Sequence, residues 1–248
     1  MSAAKRRKKS AGARMRPFWI LFVLLAIGVG VGLYYAATWP GFYPKHVSVG
    51  GNRTVPASEI LSRASIAAQE NIWLQNMRAA AKRIEAIPYV KSASIHRTLP
   101  AAVHISIEER RPFALVQFGA DRVLVDHDLR VLKNGDAALT LPVIAGKDAP
   151  APQAGTFIRD ADVQRLRDDD DALAQAHVPV RSLRYDKFGD LVAVTEGGIQ
   201  LLLGDDTDLS KKTGLIDPII SQVSATGKKL AAVDLRAPKT PVVVYKQK

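Results

Sequence analysis

The chain has 248 residues, no cysteine and a net charge of +11. The missing thiols exclude disulfide staples, thiol catalysis and cysteine-ligated metals. Seven of the positive charges crowd into the first sixteen residues, leaving +4 of the +11 for everything else, too small an excess to argue for nucleic-acid binding.

Lys5, Arg6, Arg7, Lys8, Lys9, Arg14 and Arg16 make a basic tail over 1–17, with no acid among them. Twenty uncharged residues follow over 18–37, FWILFVLLAIGVGVGLYYAA. As a helix this run spans about 30 Å, the hydrocarbon thickness of a bilayer, and it is apolar on every face. It is predicted to be a transmembrane helix, and the basic flank holds the N-terminus in the cytoplasm. Phe18, Trp19, Tyr34, Tyr35 and Trp39 suit the two interfaces. A cleaved signal peptide would have a shorter apolar core ahead of a small-x-small site. Gly28 and Gly32 have the spacing of a helix-packing face, a place for weak self-association.

Residues 38–45 are a short linker with Pro40, Gly41 and Pro44. Val47-Ser48-Val49 alternates as a strand and stops at Gly50-Gly51-Asn52. Pro56 suits the first turn of a helix, with Ile60, Leu61 and Ala64 as its inner face. After a loop at Asn71-Ile72-Trp73-Leu74, the residues Met77, Ala80, Ala81, Ile84 and Ile87 recur at helical spacing until Pro88. Two alternating stretches, from Val90 to Arg97 and around Val103, Ile105 and Ile107, are joined through Thr98-Leu99-Pro100 as a hairpin. The unit is strand, helix, helix, strand, strand.

Beyond Phe113 the chain reads mostly as strands: Arg122 to Val125, Arg130 to Leu132, Pro142 to Ile144, Val180 to Tyr185, Leu191 to Thr195, Ile199 to Leu203, Ala231 to Arg236 and Val242 to Tyr245. Gly197-Gly198 marks a hairpin. Asp160 is placed to cap a helix running to about Ala176. Asp170 falls within that helix's apolar stripe, so either the helix breaks there or Asp170 sits at the edge of the buried face. The acidic run Asp168 to Asp171 is expected to be a solvated helix face. Asp205 and Asp206 are expected to open a second helix with Leu209, Ile216, Ile219, Ile220 and Val223 inward. Pro218 should kink or break it, and Gly227 should end it.

No site chemistry rises above background. The histidines His46, His96, His104, His127 and His177 lack metal spacing, although His96 and His104 share the exposed face of the hairpin. GxSxG, SxxK and Walker patterns are missing. Glu108 and Glu109 are adjacent, so on a strand they point to opposite faces, poor geometry for a catalytic pair. No cofactor, metal or catalytic residue is expected, and the chain reads as a binding protein rather than an enzyme.

The words VSVGGNRTVP at 47–56, NIWLQN at 71–76, RIEAIPYVKSASIHRTLP at 83–100 and VHISIEERRP at 103–112 resemble the POTRA domain of the FtsQ/DivIB family of bacterial division proteins. VDLRAP near the C-terminus resembles that family's ending, with Ala237 where an aromatic is usual. Where the family often has glycine in the turn after LVD, this chain has Asp128-Leu129. The resemblance implies an α+β fold: a transmembrane helix at 18–37, a POTRA domain at 46–113, and a mostly antiparallel β domain with two helices at 114–248. It implies a non-enzymatic divisome scaffold in the cell (inner) membrane at the septum, with its C-terminal domains extracytoplasmic. FtsB-like and FtsL-like (DivIC-like) proteins and other divisome components would be its partners, linking septal wall synthesis to the division ring. The expected mode is strand addition at an exposed sheet edge, with Arg236, Thr240, Val242, Val243, Val244 and Tyr245 as the partner-binding residues. The alternative is a POTRA-bearing component of outer-membrane assembly or secretion, whose long barrel finds no room in 248 residues.

Overall fold

The structure is a computed structural model that describes residues 16–135, 140–205 and 207–246. The basic residues Lys5 to Arg14, together with Asp206 and Lys248, lie outside the described residues. Two compact units are formed. The described part of the first comprises 16–52, 56–84 and 93–107, and that of the second comprises 53–55, 85–92 and most of 108–246.

In the first unit, α1 (Arg16–Thr38) is an unbroken helix whose Phe18–Thr38 stretch is long and apolar enough to cross a membrane. Gly28 and Gly32 are open on it, with nothing within 4 Å of an added Cβ. A single 3-10 turn, Pro40–Phe42, follows. Then come β1 (His46–Gly50), α2 (Ala57–Ala64), α3 (Met77–Glu85), β2 (Val90–Thr98) and β3 (Ala102–Glu109). The sheet order is β1-β3-β2, and β1 runs parallel to β3 from His46↔Ala102 to Gly50↔Ser106. Alternation buries Val103, Ile105 and Ile107 on one face of β3, as strand geometry requires. The helices bury Ile60, Ala64, Met77, Ala80 and Ile84. Leu61, expected on the inner face of α2, is instead 39% exposed, because it sits one residue round the helix from Ile60. Asn76 accepts the Ala79 N–H at 3.0 Å and so starts α3.

The second unit is built on a nine-stranded sheet of order β12-β11-β10-β9-β8-β7-β4-β5-β6. Its strands are β4 (Pro112–Phe118), β5 (Asp121–Asp126), β6 (Val131–Asn134), β7 (Val143–Ala145), β8 (Val180–Tyr185), β9 (Leu191–Thr195), β10 (Gln200–Gly204), β11 (Leu230–Asp234) and β12 (Val242–Tyr245). Pairing is mostly antiparallel. The parallel pairs are β4 with β7, β7 with β8 and β10 with β11. All three need crossover connections, and helices supply the last two. They are α4 (Ala161–Gln175) between β7 and β8, and α5 (Leu209–Thr213) with α6 (Ile216–Ala225) between β10 and β11. Val163, Leu166 and Leu173 of α4 and Ile216 and Val223 of α6 join one core with Ile144, Leu183, Ala193, Leu201 and Val233. A smaller cluster, Leu115, Leu124 and Leu132, packs with Tyr89, Leu141 and Val143.

Three expectations are decided here, two of them by correction. First, the acidic run on α4 is not a solvated face: the helix is continuous, Asp169 and Asp170 are buried, and Tyr185 donates its hydroxyl to Asp169 at 2.6 Å. Second, the break expected from Pro218 is present: the second helix is two helices parted at Gly214-Leu215. Pro218 has no N–H for the Gly214 carbonyl, so the ladder fails there, while Pro218 itself sits in the first turn of α6, where no such bond is needed. Third, among the described acids before α5 neither Asp205 nor Asp208 is placed as a side-chain cap. Asp208 occupies the cap position at φ +58 but makes no side-chain cap bond, and Asp205 instead accepts from buried Lys212 at 3.0 Å. As expected, Asp160 caps α4 through the N–H groups of Asp162 and Val163. The turn after LVD keeps its left-handed position without glycine: Leu129 takes φ +59 and is 1% exposed.

Candidate functional site

The sequence placed its candidate residues at the C-terminal end, and the structure makes that segment an edge. Among the described residues β12 pairs on one side only, antiparallel to β11, with Val233↔Val243 and Asp234↔Val242 in register. A bulge between Leu230 and Ala232 lets two residues of β11 face one of β12. Lys246 donates its N–H to the Lys229 carbonyl at 2.8 Å. Backbone direction alternates along a strand, so Val244 and Val242 also turn toward β11. The N–H and C=O of Val243 and Tyr245 therefore face away from the sheet, along the open edge.

Side chains alternate the other way. Val242 (58%) and Val244 (51%) are exposed together on one face, while Val243 packs against the core. Lys228 Nζ sits 4.9 Å from the centroid of the Tyr245 ring, leaving the ring 42% exposed. Exposed aliphatic side chains on an unpaired edge are the feature that stable sheets normally blunt or cover.

Arg236 and Thr240 flank the same end of this ladder. Arg236 lies beyond β11 rather than within it. Its guanidinium binds Asp234 at 2.6 and 3.0 Å and approaches Asp190 at 3.9 Å. That bond holds the Asp234 carboxyl below its usual range. Thr240 is exposed and closes a turn through its N–H to the Ala237 carbonyl at 3.0 Å. The structure thus brings Arg236, Thr240 and Val242 to Tyr245 to one end of one sheet. Sequence reasoning missed Asp234 and Lys228, which hold two of these side chains in place. The Asp-x-Arg spacing in VDLRAP is the one local signal that pointed to the first.

Two charged residues in the stretch 103–112, Glu109 and Arg110, prove to be clamps within the second unit. Glu109 accepts the backbone N–H groups of Arg53, Thr54 and Val55 at 2.8 to 3.0 Å. Burial works against its charged form, yet these donors outweigh it and hold Glu109 below the ordinary carboxylate range. Arg110 binds Asp126, and Asp128 at 2.8 Å. Neither arrangement leaves a free nucleophile or base. Among the described residues, no group of three or more His, Cys, Asp or Glu is placed to hold a metal ion.

Residues 42–110 match the family model of the POTRA domain, FtsQ-type. Cell division protein FtsQ of Agrobacterium fabrum is 24% identical over 198 residues, 79% of this chain and 59% of that protein. Cell division protein FtsQ of Xanthomonas campestris pv. campestris is 25% identical over 225 residues, covering 88% and 76%. Cell division protein DivIB of Geobacillus kaustophilus is 30% identical over 112 residues, covering 45% and 41%. The chain thus spans between two fifths and three quarters of the length of these relatives. A single N-terminal apolar helix, the strand-helix-helix-strand-strand unit and these matches agree. The chain carries a POTRA domain of the FtsQ type over residues 42–110, and it is similar to the FtsQ and DivIB cell-division proteins.

Proposed function

We propose that this protein is a non-enzymatic scaffold of the division machinery. It is anchored in the cell membrane by α1, with the N-terminus cytoplasmic and both later domains, 46–113 and 114–248, extracytoplasmic at the septum. It binds FtsB-like and FtsL-like (DivIC-like) proteins and so links septal wall synthesis to the division ring. The observation that carries the reading is the open edge of β12, whose outward N–H and C=O groups can pair with a partner strand. Support for a division role comes from relatives named as cell division proteins. Gly28 and Gly32 add a face for weak self-association within the membrane.

Strand addition rests on backbone bonds, so a backbone change should outweigh a side-chain truncation. Val243→Pro removes an N–H that faces the open edge and leaves the β11 ladder its donors. The full-length variant is expected to stay folded and lose capture of the FtsB-like protein. Tyr245→Ala should weaken capture by roughly 1–3 kcal/mol. Pull-down of the FtsB-like protein, with hydrogen exchange of the second unit as the folding control, decides it. A folded Val243→Pro variant that binds at wild-type strength would remove β12 as the docking edge.

A further inference from the structure

The end of α1 is closed by a loop that lies 34 residues further along the chain. Asn71 donates from Nδ2 to the Ala37 carbonyl at 3.1 Å. That carbonyl is in the last turn of α1, where helix carbonyls have no intrahelical donor. Thr38 turns its hydroxyl back to the Tyr34 carbonyl at 2.9 Å. The first unit therefore supplies the cap that a helix ending at a bilayer boundary requires, since an unpaired carbonyl there is costly.

Asn71 does a second thing with the same side chain. Its Oδ1 accepts the Trp73 N–H at 2.8 Å, and its own carbonyl accepts the Leu74 N–H at 3.0 Å. The resulting turn is pinned from behind. Ile72 is fully buried and donates its N–H to the Phe42 carbonyl at 3.0 Å. Arg97 donates to the Ile72 and Trp73 carbonyls at 2.8 and 3.1 Å, and its guanidinium carbon lies 5.2 Å from the Trp73 ring centroid. What this rigid turn displays is apolar: Leu74 is 71% exposed and Trp73 is 41% exposed. Water gains nothing from a tightly held turn that exposes a leucine and an indole.

Position says what the turn meets. Trp73 is two residues from Asn71, at most about 7 Å of chain, and Asn71 touches the residue where the apolar run of α1 ends. Trp39 stands one residue past α1, 55% exposed. Its ring lies flat over Gly41, where an added Cβ would come within 2.8 Å of three ring carbons, and meets Phe42 edge-on at 5.0 Å. Two indoles and a leucine thus gather at the level of one helix end.

We propose that Trp73 and Leu74, with Trp39, enter the headgroup–acyl boundary of the leaflet in which α1 ends, seating the first unit on the lipid surface at a fixed height. This rests on the reading of α1 as a membrane span. Indole rings favour that boundary, and apolar side chains there reach about 5–10 Å below the headgroups. Arg97, behind Trp73, brings a cation to the depth of the lipid phosphates.

The test is tryptophan quenching in the full-length protein, reconstituted into phosphatidylethanolamine–phosphatidylglycerol vesicles carrying lipids brominated either near the headgroup or near the chain ends. The chain's three tryptophans allow single-tryptophan variants. Trp19→Phe with Trp39→Phe leaves Trp73, and Trp39→Phe with Trp73→Phe leaves Trp19. Trp73 should lose about half of its emission to the shallow bromines and less to the deep ones. Adding Asn71→Ala should reduce that quenching while Trp19 stays quenched. If Trp19 is quenched and Trp73 is not, α1 spans but the turn faces water or a protein, and the proposal is overturned. If Trp19 is unquenched, the membrane reading of α1 fails and the proposal falls with it.

Discussion

Asp170 shows how one residue's charge depends on its surroundings. Burial, and then the neighbouring Asp171 carboxylate, push it up to about 6, against the pull of His127, whose Nε2 lies 2.7 Å from Asp171. The native state therefore binds a proton more tightly here than the unfolded chain does. The stabilising effect of that proton is present in full below the unfolded value near 4 and is lost as pH rises through about 6. Asp170→Asn is expected to raise stability at pH 7.5 by roughly 1–2 kcal/mol and to change it little at pH 4. Urea unfolding at the two pH values checks this, and an equal effect at both would refute the titration. Leu129 illustrates a different balance. Its left-handed backbone costs about 1–2 kcal/mol, but a fully buried leucine contributes about 2–5 kcal/mol, so side-chain burial outweighs the backbone cost at a position where glycine would be unstrained.

At the scale of elements, the Glu109 clamp joins the end of β3 to the segment Arg53 to Val55. Three donors converge on one carboxylate, with partners more than fifty residues away in sequence. Charge-assisted bonds of this kind are stronger than neutral ones, and orphaned donors carry a desolvation penalty. Glu109→Gln should therefore destabilise the protein by about 1–3 kcal/mol near neutral pH. Because the folded carboxyl titrates low, the wild-type advantage persists above the unfolded value and fades as pH falls through the folded one. Hydrogen exchange at Thr54 and Val55 reports it directly: unchanged protection in the variant would mean that the clamp contributes little. The split between α5 and α6 belongs to this scale too, since one missing N–H at Pro218 interrupts the ladder four residues upstream.

For the whole molecule, the net charge divides by region. The basic tail precedes α1, and the remainder carries the modest +4 left over from the total. That asymmetry is the ground for the proposed cytoplasmic N-terminus. A reporter active only outside the cytoplasm, fused after residue 248, is expected to be active in the membrane fraction. Activity in a released, soluble fragment would mean that α1 is cleaved rather than retained as an anchor.

The sequence by itself determined whatever repeats within a few residues. Alternation located β3, and short runs rich in β-branched and apolar residues located β8, β9 and β12. Helical spacing located α3 and α4, Asp160 and Pro88 marked boundaries, and an uncharged run of twenty residues announced α1. Pro241 lacks a ladder N–H and so marked an edge or a strand start just before β12, which is an edge strand of the sheet. Only the tertiary structure decided which strands neighbour which, and therefore which backbone groups of β12 face outward. It also decided that Asp169, Asp170 and Lys212 are buried despite their charge, because Tyr185 and Asp205 come from other elements or loops to meet two of them. The same holds for Asn71 at the end of α1 and for Glu109 beneath Thr54. Periodicity is a property of neighbours along the chain, whereas a buried charge or a capped carbonyl needs a partner that only folding brings within 3 Å.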